Sequence, residues 1–167
     1  MVGLKFKPRL PIHHSQTQIR YVASITPSYG GYKMALLTWD SSYSVKVAEL
    51  DGQHQKLFSL INALYDAMRV GKGRAILGQI VTELGDYTQT HFQAEEALME
   101  QANYPALDGH RAEHRRFIAQ VSQYKKDLEA GTGNAVAVAE FLKDWLTKHI
   151  RRLDQSYSAR LNANGIS

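Results

Sequence analysis

Five histidines and two carboxylates carry the chemistry open to this sequence: His54, His91, Glu95, His110, His114, His149 and Asp154. His91 and Glu95 stand four residues apart, as do His110 and His114, so each pair shares one helix face, a turn apart. Imidazoles and carboxylates suit first-row transition ions, and seven such donors are enough for a pair of them. If both carboxylates and one solvent-derived oxygen bridge the pair, an ion with three histidines is six-coordinate and one with two is five-coordinate. The second keeps a position open for a small ligand such as dioxygen. Cysteine is absent, which excludes disulfides, thiolate sites and Fe–S clusters. Zinc hydrolysis would need an HExxH helix, and the sequence has none.

Taken singly, each of these residues has a plainer explanation. A lone core histidine is more often hydrogen-bonded than metal-bound, and an isolated i,i+4 pair is usually a solvated face. Here, however, all five histidines after Met34 fall in one set, each on a stripe of core residues. The stripes are Val47, Leu50, Leu57, Ile61, Leu64 and Met68; Leu77, Ile80, Leu84, Tyr87 and Leu98; Leu107, Phe117, Val121, Tyr124 and Leu128; and Val138, Leu142, Trp145, Leu153 and Tyr157. Their spacing of three, four or seven predicts four amphipathic helices, punctuated at Gly71 and Gly73, at Tyr104-Pro105, and at Gly131 to Asn134. No alternating strand pattern of useful length appears.

Short connections between long helices predict antiparallel neighbours, hence an all-α, up-down-up-down four-helix bundle. In that topology His54 begins the first helix, His91 and Glu95 end the second, His110 and His114 begin the third, and His149 and Asp154 end the fourth. The seven residues therefore converge on one layer at one end of the bundle. Burying them unpaired would cost several kcal/mol each, so something must satisfy them.

The net charge of +4 is placed unevenly. Residues 1–33 hold Lys5, Lys7, Arg9, Arg20 and Lys33 and no acid, which leaves 15 bases against 16 acids from Met34 onward. Basicity thus belongs to the N-terminal segment, and no compact basic patch supports nucleic-acid binding. That segment also holds Pro8, Pro11 and Pro27 and sustains no helical or strand period. It is expected to be a disordered extension (1–33) before the bundle domain (34–167), with Met34 as a natural start and His13-His14 as a solvated pair. No apolar run approaches the roughly 18 residues of a membrane span, and a cytoplasmic monomer is expected.

The segments Trp39-Asp40 and Val45-Lys46-Val47, Asp51-Gly52-Gln53-His54-Gln55-Lys56-Leu57-Phe58, His91-Phe92-Gln93-Ala94-Glu95-Glu96, His110-Arg111-Ala112-Glu113-His114, and Trp145-Leu146 with His149 to Asp154 carry a family resemblance. Over roughly residues 36 to 158 the chain resembles the single-domain bacterial hemerythrins, a family whose up-down-up-down topology is already known. The resemblance implies two non-haem iron ions, bridged by carboxylates and an oxo or hydroxo group. It assigns His110, His114 and His149 to one iron, His54 and His91 to the other, and Glu95 and Asp154 to the bridges. It places Leu57, Phe92, Trp145, Leu146 and Ile150 around a dioxygen pocket, where they also serve as ordinary core. Gln53 is expected to support or cap the site, and Asp51 to lie on the helix surface. Apolar walls without a free acid imply reversible dioxygen binding rather than catalysis. With no signalling domain in view, carriage, storage or delivery to a protein recipient is expected over sensing. The alternative is a di-iron oxidase, ferroxidase or sensor using the same site.

Overall fold

In the computed structural model, residues 35–167 are described; the expected extension, including His13 and His14, lies outside them. Four helices follow in the expected order: α1 (Ala48–Arg69), α2 (Gly73–Gln101), α3 (Leu107–Glu129) and α4 (Ala135–His149). A five-residue π-helical stretch (Ile150–Asp154) and α5 (Gln155–Ala163) prolong α4, and there is no strand among the described residues. Consecutive helices pack side by side, α1 on α2 and α2 on α3, and α4 returns against α1. The result is the up-down-up-down bundle.

The helix ends follow from local chemistry. Glu49 and Asp51 place negative charge in the first turn of α1, where the helix dipole favours it. Asn134 caps α4 by accepting from the backbone N–H groups of Val136 and Ala137 at 3.0 and 3.3 Å. Gly71 and Gly131 terminate α1 and α3 with φ of 73° and 75°, a left-handed conformation that glycine adopts without Cβ strain. Between these ends the stripes meet as Leu50, Leu57, Ile61 and Leu64 of α1, Leu77, Ile80 and Leu84 of α2, Phe117 and Val121 of α3, and Val138 and Leu142 of α4, all buried. Each such side chain contributes roughly 1.5–3 kcal/mol relative to exposure.

The segment before α1 closes one end of the bundle. Leu37 exchanges two hydrogen bonds with the Asn62 side chain, at 2.9 and 2.8 Å. A 3-10 turn (Ser41–Tyr43) follows, and Trp39 and Tyr43 pack edge-on against Phe58. Asp51 is only half-buried, but it does more than the expected surface residue: its carboxylate accepts from the Val45 N–H at 2.8 Å and the Ser44 hydroxyl at 2.6 Å. These contacts set Trp39 over His54, ring centroids 6.2 Å apart.

The fourth helix departs from the sequence expectation of a single unbroken helix. The Gln155 N–H bonds to the carbonyl of Ile150, five residues back, so one turn holds an extra residue. The consequence for the site is large. Five residues apart on a regular α-helix, His149 and Asp154 would point about 140° apart; the widened turn brings them to 3.1 Å.

Replacing Asp51 with alanine removes two hydrogen bonds to a charged acceptor. The expected loss is about 1–3 kcal/mol of stability, read by urea denaturation, with Trp39 fluorescence reporting release of the segment. An unchanged midpoint would contradict the tether.

Candidate metal centre

Each element delivers its share at the same end of the bundle. His54 comes from the second turn of α1, His91 and Glu95 from the last turns of α2, His110 and His114 from the first turns of α3, His149 from the end of α4, and Asp154 from the close of the π stretch. All seven are buried, His54, Glu95 and Asp154 completely so. The structure therefore brings together every donor the sequence singled out.

The donors form two groups that share Glu95. Ligand atoms of Glu95, His110, His114 and His149 lie within 4.8 Å of one another, and so do those of His54, His91 and Glu95. Glu95 Oε2 is 3.3 Å from His110 Nε2, 3.1 Å from His114 Nε2 and 4.0 Å from His91 Nε2. Asp154 spans both sides: Oδ2 is 3.3 Å from His54 Nε2, while Oδ1 is 3.1 Å from His149 Nε2 and 3.5 Å from His110 Nε2. Donors cis to one another on an octahedral ion with bonds of about 2.1 Å sit about 3.0 Å apart. The Glu95–His114 and Asp154–His149 contacts at 3.1 Å come near that spacing, and the Glu95–His91 contact at 4.0 Å is wider.

Outer contacts decide which nitrogens face inward. His114 Nδ1 is 2.7 Å from Glu96 Oε1, and an ionised carboxylate can only accept, so Nδ1 carries the proton. The lone pair of His114 Nε2 then points into the cluster, 3.1 Å from the acceptor Glu95 Oε2. A proton or a cation must lie between them. His91 Nδ1 meets Gln53 Oε1 at 2.8 Å, and the amide orientation is consistent with Gln53 Nε2 donating to Glu49 at 3.2 Å. His54 and Asp154 state the need most directly: among the described residues their buried ring nitrogens and carboxylate oxygens make no hydrogen bond. Such atoms cost free energy until something coordinates them, and two imidazole-rich groups sharing a carboxylate fit first-row divalent ions.

The charge balance among the donor side chains is asymmetric. Burial opposes protonation of His54, but Asp154 and Glu95 outweigh it and its pKa is raised. His110 behaves in the same way, with Glu95 outweighing burial. Burial dominates at His91 and lowers it to about 4. Burial also pushes against ionisation of Glu95 and Asp154, yet the surrounding imidazoles hold both carboxyls below the usual range. Tyr157 donates its hydroxyl to Glu95 Oε1, and burial beside two carboxylates raises its pKa well above the ordinary phenol value.

One turn deeper in the bundle lies a small apolar cavity of about 10 Å³, lined by Leu57, Ile61, Leu84, Thr88, Phe117, Leu142, Trp145 and Leu146. Leu57 is three residues from His54, Thr88 three from His91, Phe117 three from His114 and Leu146 three from His149, so this is the next layer below the donors. Of the residues expected around a pocket, Leu57, Trp145 and Leu146 line it. Phe92 and Ile150 do not: Phe92 lies flat on the His114 ring at 3.7 Å, and Ile150 is buried in the core. Thr88 is the polar exception in the wall, its hydroxyl tied to the Leu84 carbonyl at 2.7 Å.

Sequence reasoning did not single out Glu96, Tyr157 or Thr88 as site residues. Tyr157 was visible only as the last member of a core stripe, and Glu96 only as the second acid of a Glu-Glu pair. The one available signal was helical register, since Glu96 is two residues past Ala94 and one past Glu95, on the flank of the donor face.

Comparison with known proteins accords with this geometry. The family model described as hemerythrin HHE cation binding domain matches residues 45–161. The chain is 35% identical over 131 residues to the bacteriohemerythrin of Stenotrophomonas maltophilia (strain R551-3), covering 78% of this chain and 85% of the relative. It is 32% identical over 124 residues to myohemerythrin-1 of Phascolopsis gouldii, covering 74% and 92%. A crystal structure of wild-type hemerythrin superposes with a TM-score of 0.70 at 31% identity, covering 76% of this chain and 98% of that one. No helix among the described residues is long and apolar enough to cross a membrane.

The pKa directions predict how metal uptake depends on pH. With pKa values raised, His54 and His110 hold protons near pH 6.5 that an incoming cation must displace, whereas at pH 8.5 they hold fewer. His91, Glu95 and Asp154 are already deprotonated at both values. Proton release on adding a divalent ion to weakly buffered apoprotein should be larger at pH 6.5, and apparent affinity lower. Equal release at both values would contradict the assignment.

Proposed function

We propose, because the chain belongs to the hemerythrin family, that its buried cluster holds two non-haem iron ions and binds dioxygen reversibly, as a carrier or store and not as an enzyme. His110, His114 and His149 would hold one ion and His54 and His91 the other, with Glu95 and Asp154 shared between them. Support for that division comes from Asp154, which turns one oxygen to His54 and the other to His149. A ferrous pair, when bound, supplies reversible redox chemistry toward dioxygen.

The observation that carries the reading is the apolar cavity set one turn from the donor layer. Its volume of about 10 Å³ approaches the space of one water-sized molecule, so larger organic substrates are shut out. Leu57, Leu146 and Trp145 give it walls with no acid. The Thr88 hydroxyl donates to its own helix, and the Tyr157 hydroxyl donates to Glu95, so neither offers a loose proton to the cavity. A site that binds a small apolar gas and withholds protons favours release of the gas unchanged over its reduction. Relatives named bacteriohemerythrin and myohemerythrin agree with this reading.

The test is to load the apoprotein anaerobically with ferrous iron, admit air, and follow the visible spectrum while sparging with argon. A coloured species that fades under argon and returns with air, over repeated cycles, is expected. Irreversible bleaching with hydrogen peroxide released, or with further ferrous iron consumed, would move the assignment to an oxidase or ferroxidase. Leu57→Glu places an acid in the cavity wall and should accelerate irreversible oxidation at least about tenfold, as a positioned proton donor does. An unchanged oxidation rate would count against the proton-withholding role of the wall.

A further inference from the structure

The two donor groups are backed by different chemistry. Behind His114, in the group of three histidines, stands the carboxylate of Glu96, 2.7 Å from Nδ1. Behind His91, in the group of two, stands the neutral amide of Gln53 at 2.8 Å. A carboxylate that accepts the outer N–H of an imidazole makes the inner nitrogen a stronger donor than an amide does. Phe92 lies on the His114 ring with an interplanar angle of 8°, which holds the ring in the plane that keeps this bond aligned. Glu96 is in turn held from outside, with Arg111 Nε donating to Oε2 at 3.2 Å and Arg111 Nη2 to Glu100 at 3.2 Å. The Glu96 and Arg111 side chains are 24% and 31% exposed, so the chain of contacts runs from the buried cluster to the surface.

We propose that Glu96 is a positioning residue that makes the two metal positions unequal, strengthening His114 as a donor so that the three-histidine position binds its ion more tightly, while Arg111 moderates that effect by drawing on the same carboxylate. The inference rests on the two-metal reading above. It has a directional signature that packing alone does not share. Removing the charge of Glu96 while keeping its shape weakens one position; removing Arg111 frees more of the carboxylate's charge for His114 and tightens that same position. Because Arg111 acts through Glu96, its effect disappears when Glu96 has lost its charge.

The experiment titrates the full-length apoprotein with cobalt(II), a redox-stable probe, and resolves the binding steps from the visible d–d bands for the wild type, Glu96→Gln, Arg111→Gln and the double variant. Far-UV circular dichroism of each apoprotein checks the fold. The wild type is expected to bind in two steps. Glu96→Gln should weaken the tighter step about tenfold, in the range seen for outer partners of metal-bound histidines, and leave the weaker one in place. Arg111→Gln should tighten that step a few-fold, and the gain should vanish in the double variant. Equal weakening of both steps, no change in Glu96→Gln, or an Arg111→Gln effect that persists in the double variant would overturn the inference. If Glu96→Gln does not fold, Arg111→Gln must still tighten the tighter step, and failure to do so overturns it. A wild-type protein that takes up fewer than two ions would instead overturn the two-metal reading itself.

Discussion

Two carboxylates and five imidazoles in a single layer of an apolar bundle impose the constraint on which the rest of this molecule depends. Charged groups removed from water are tolerated only when paired, and the pairing inside this layer is incomplete. His114 Nε2 faces Glu95 across 3.1 Å, a gap that a proton or a cation must fill, and the polar atoms of His54 and Asp154 make no hydrogen bond among the described residues. The bundle carries this cost at one end and recovers stability elsewhere, through the leucine-rich layers below and the aromatic segment that closes over His54. Cations in the layer would convert its largest liability into its strongest cross-links, joining all four helices through Glu95 and Asp154.

The same constraint accounts for features that would otherwise be oddities. A π-helical stretch is an uncommon way to continue a helix, but without it His149 and Asp154 would face different sides of α4. Glu96, Gln53 and Tyr157 each occupy the outer side of a donor and fix which atom points inward. Below the donors, hydrocarbon takes over within a single turn, so polar chemistry and an apolar cavity lie one layer apart. That abrupt boundary sets an apolar cavity directly against a layer of metal-ligating side chains.

Much of this was legible in the sequence, for a physical reason: helical periodicity and short connections are one-dimensional signals. The stripes from Val47 to Tyr157, the breaks at Gly71, Pro105 and Gly131, and the convergence of the seven donors all follow from spacing and antiparallel order. What was not legible depends on pair distances across helices. Asp51 reads as a surface acid until the Ser44–Val45 segment is seen folded onto it. Phe92 was placed at the pocket by family resemblance alone, and nothing in its spacing announces that its ring stacks on His114. The π turn left no mark beyond the five-residue interval between His149 and Asp154, which a regular helix cannot place on one face. The cavity wall drew on Ile61, Leu84, Thr88, Phe117 and Leu142, and only the depth at which the four stripes meet could have selected them.

The central claim, that divalent cations complete this layer, is tested most directly by measuring metal content and thermal unfolding together on apoprotein and on protein loaded with ferrous iron under anaerobic conditions. About two ions per chain and a clear rise in Tm are predicted, because ions bound to the folded state alone stabilise it by their binding free energy. Fewer than one ion per chain with an unchanged Tm would mean that protons alone settle the buried layer, and the account would fail.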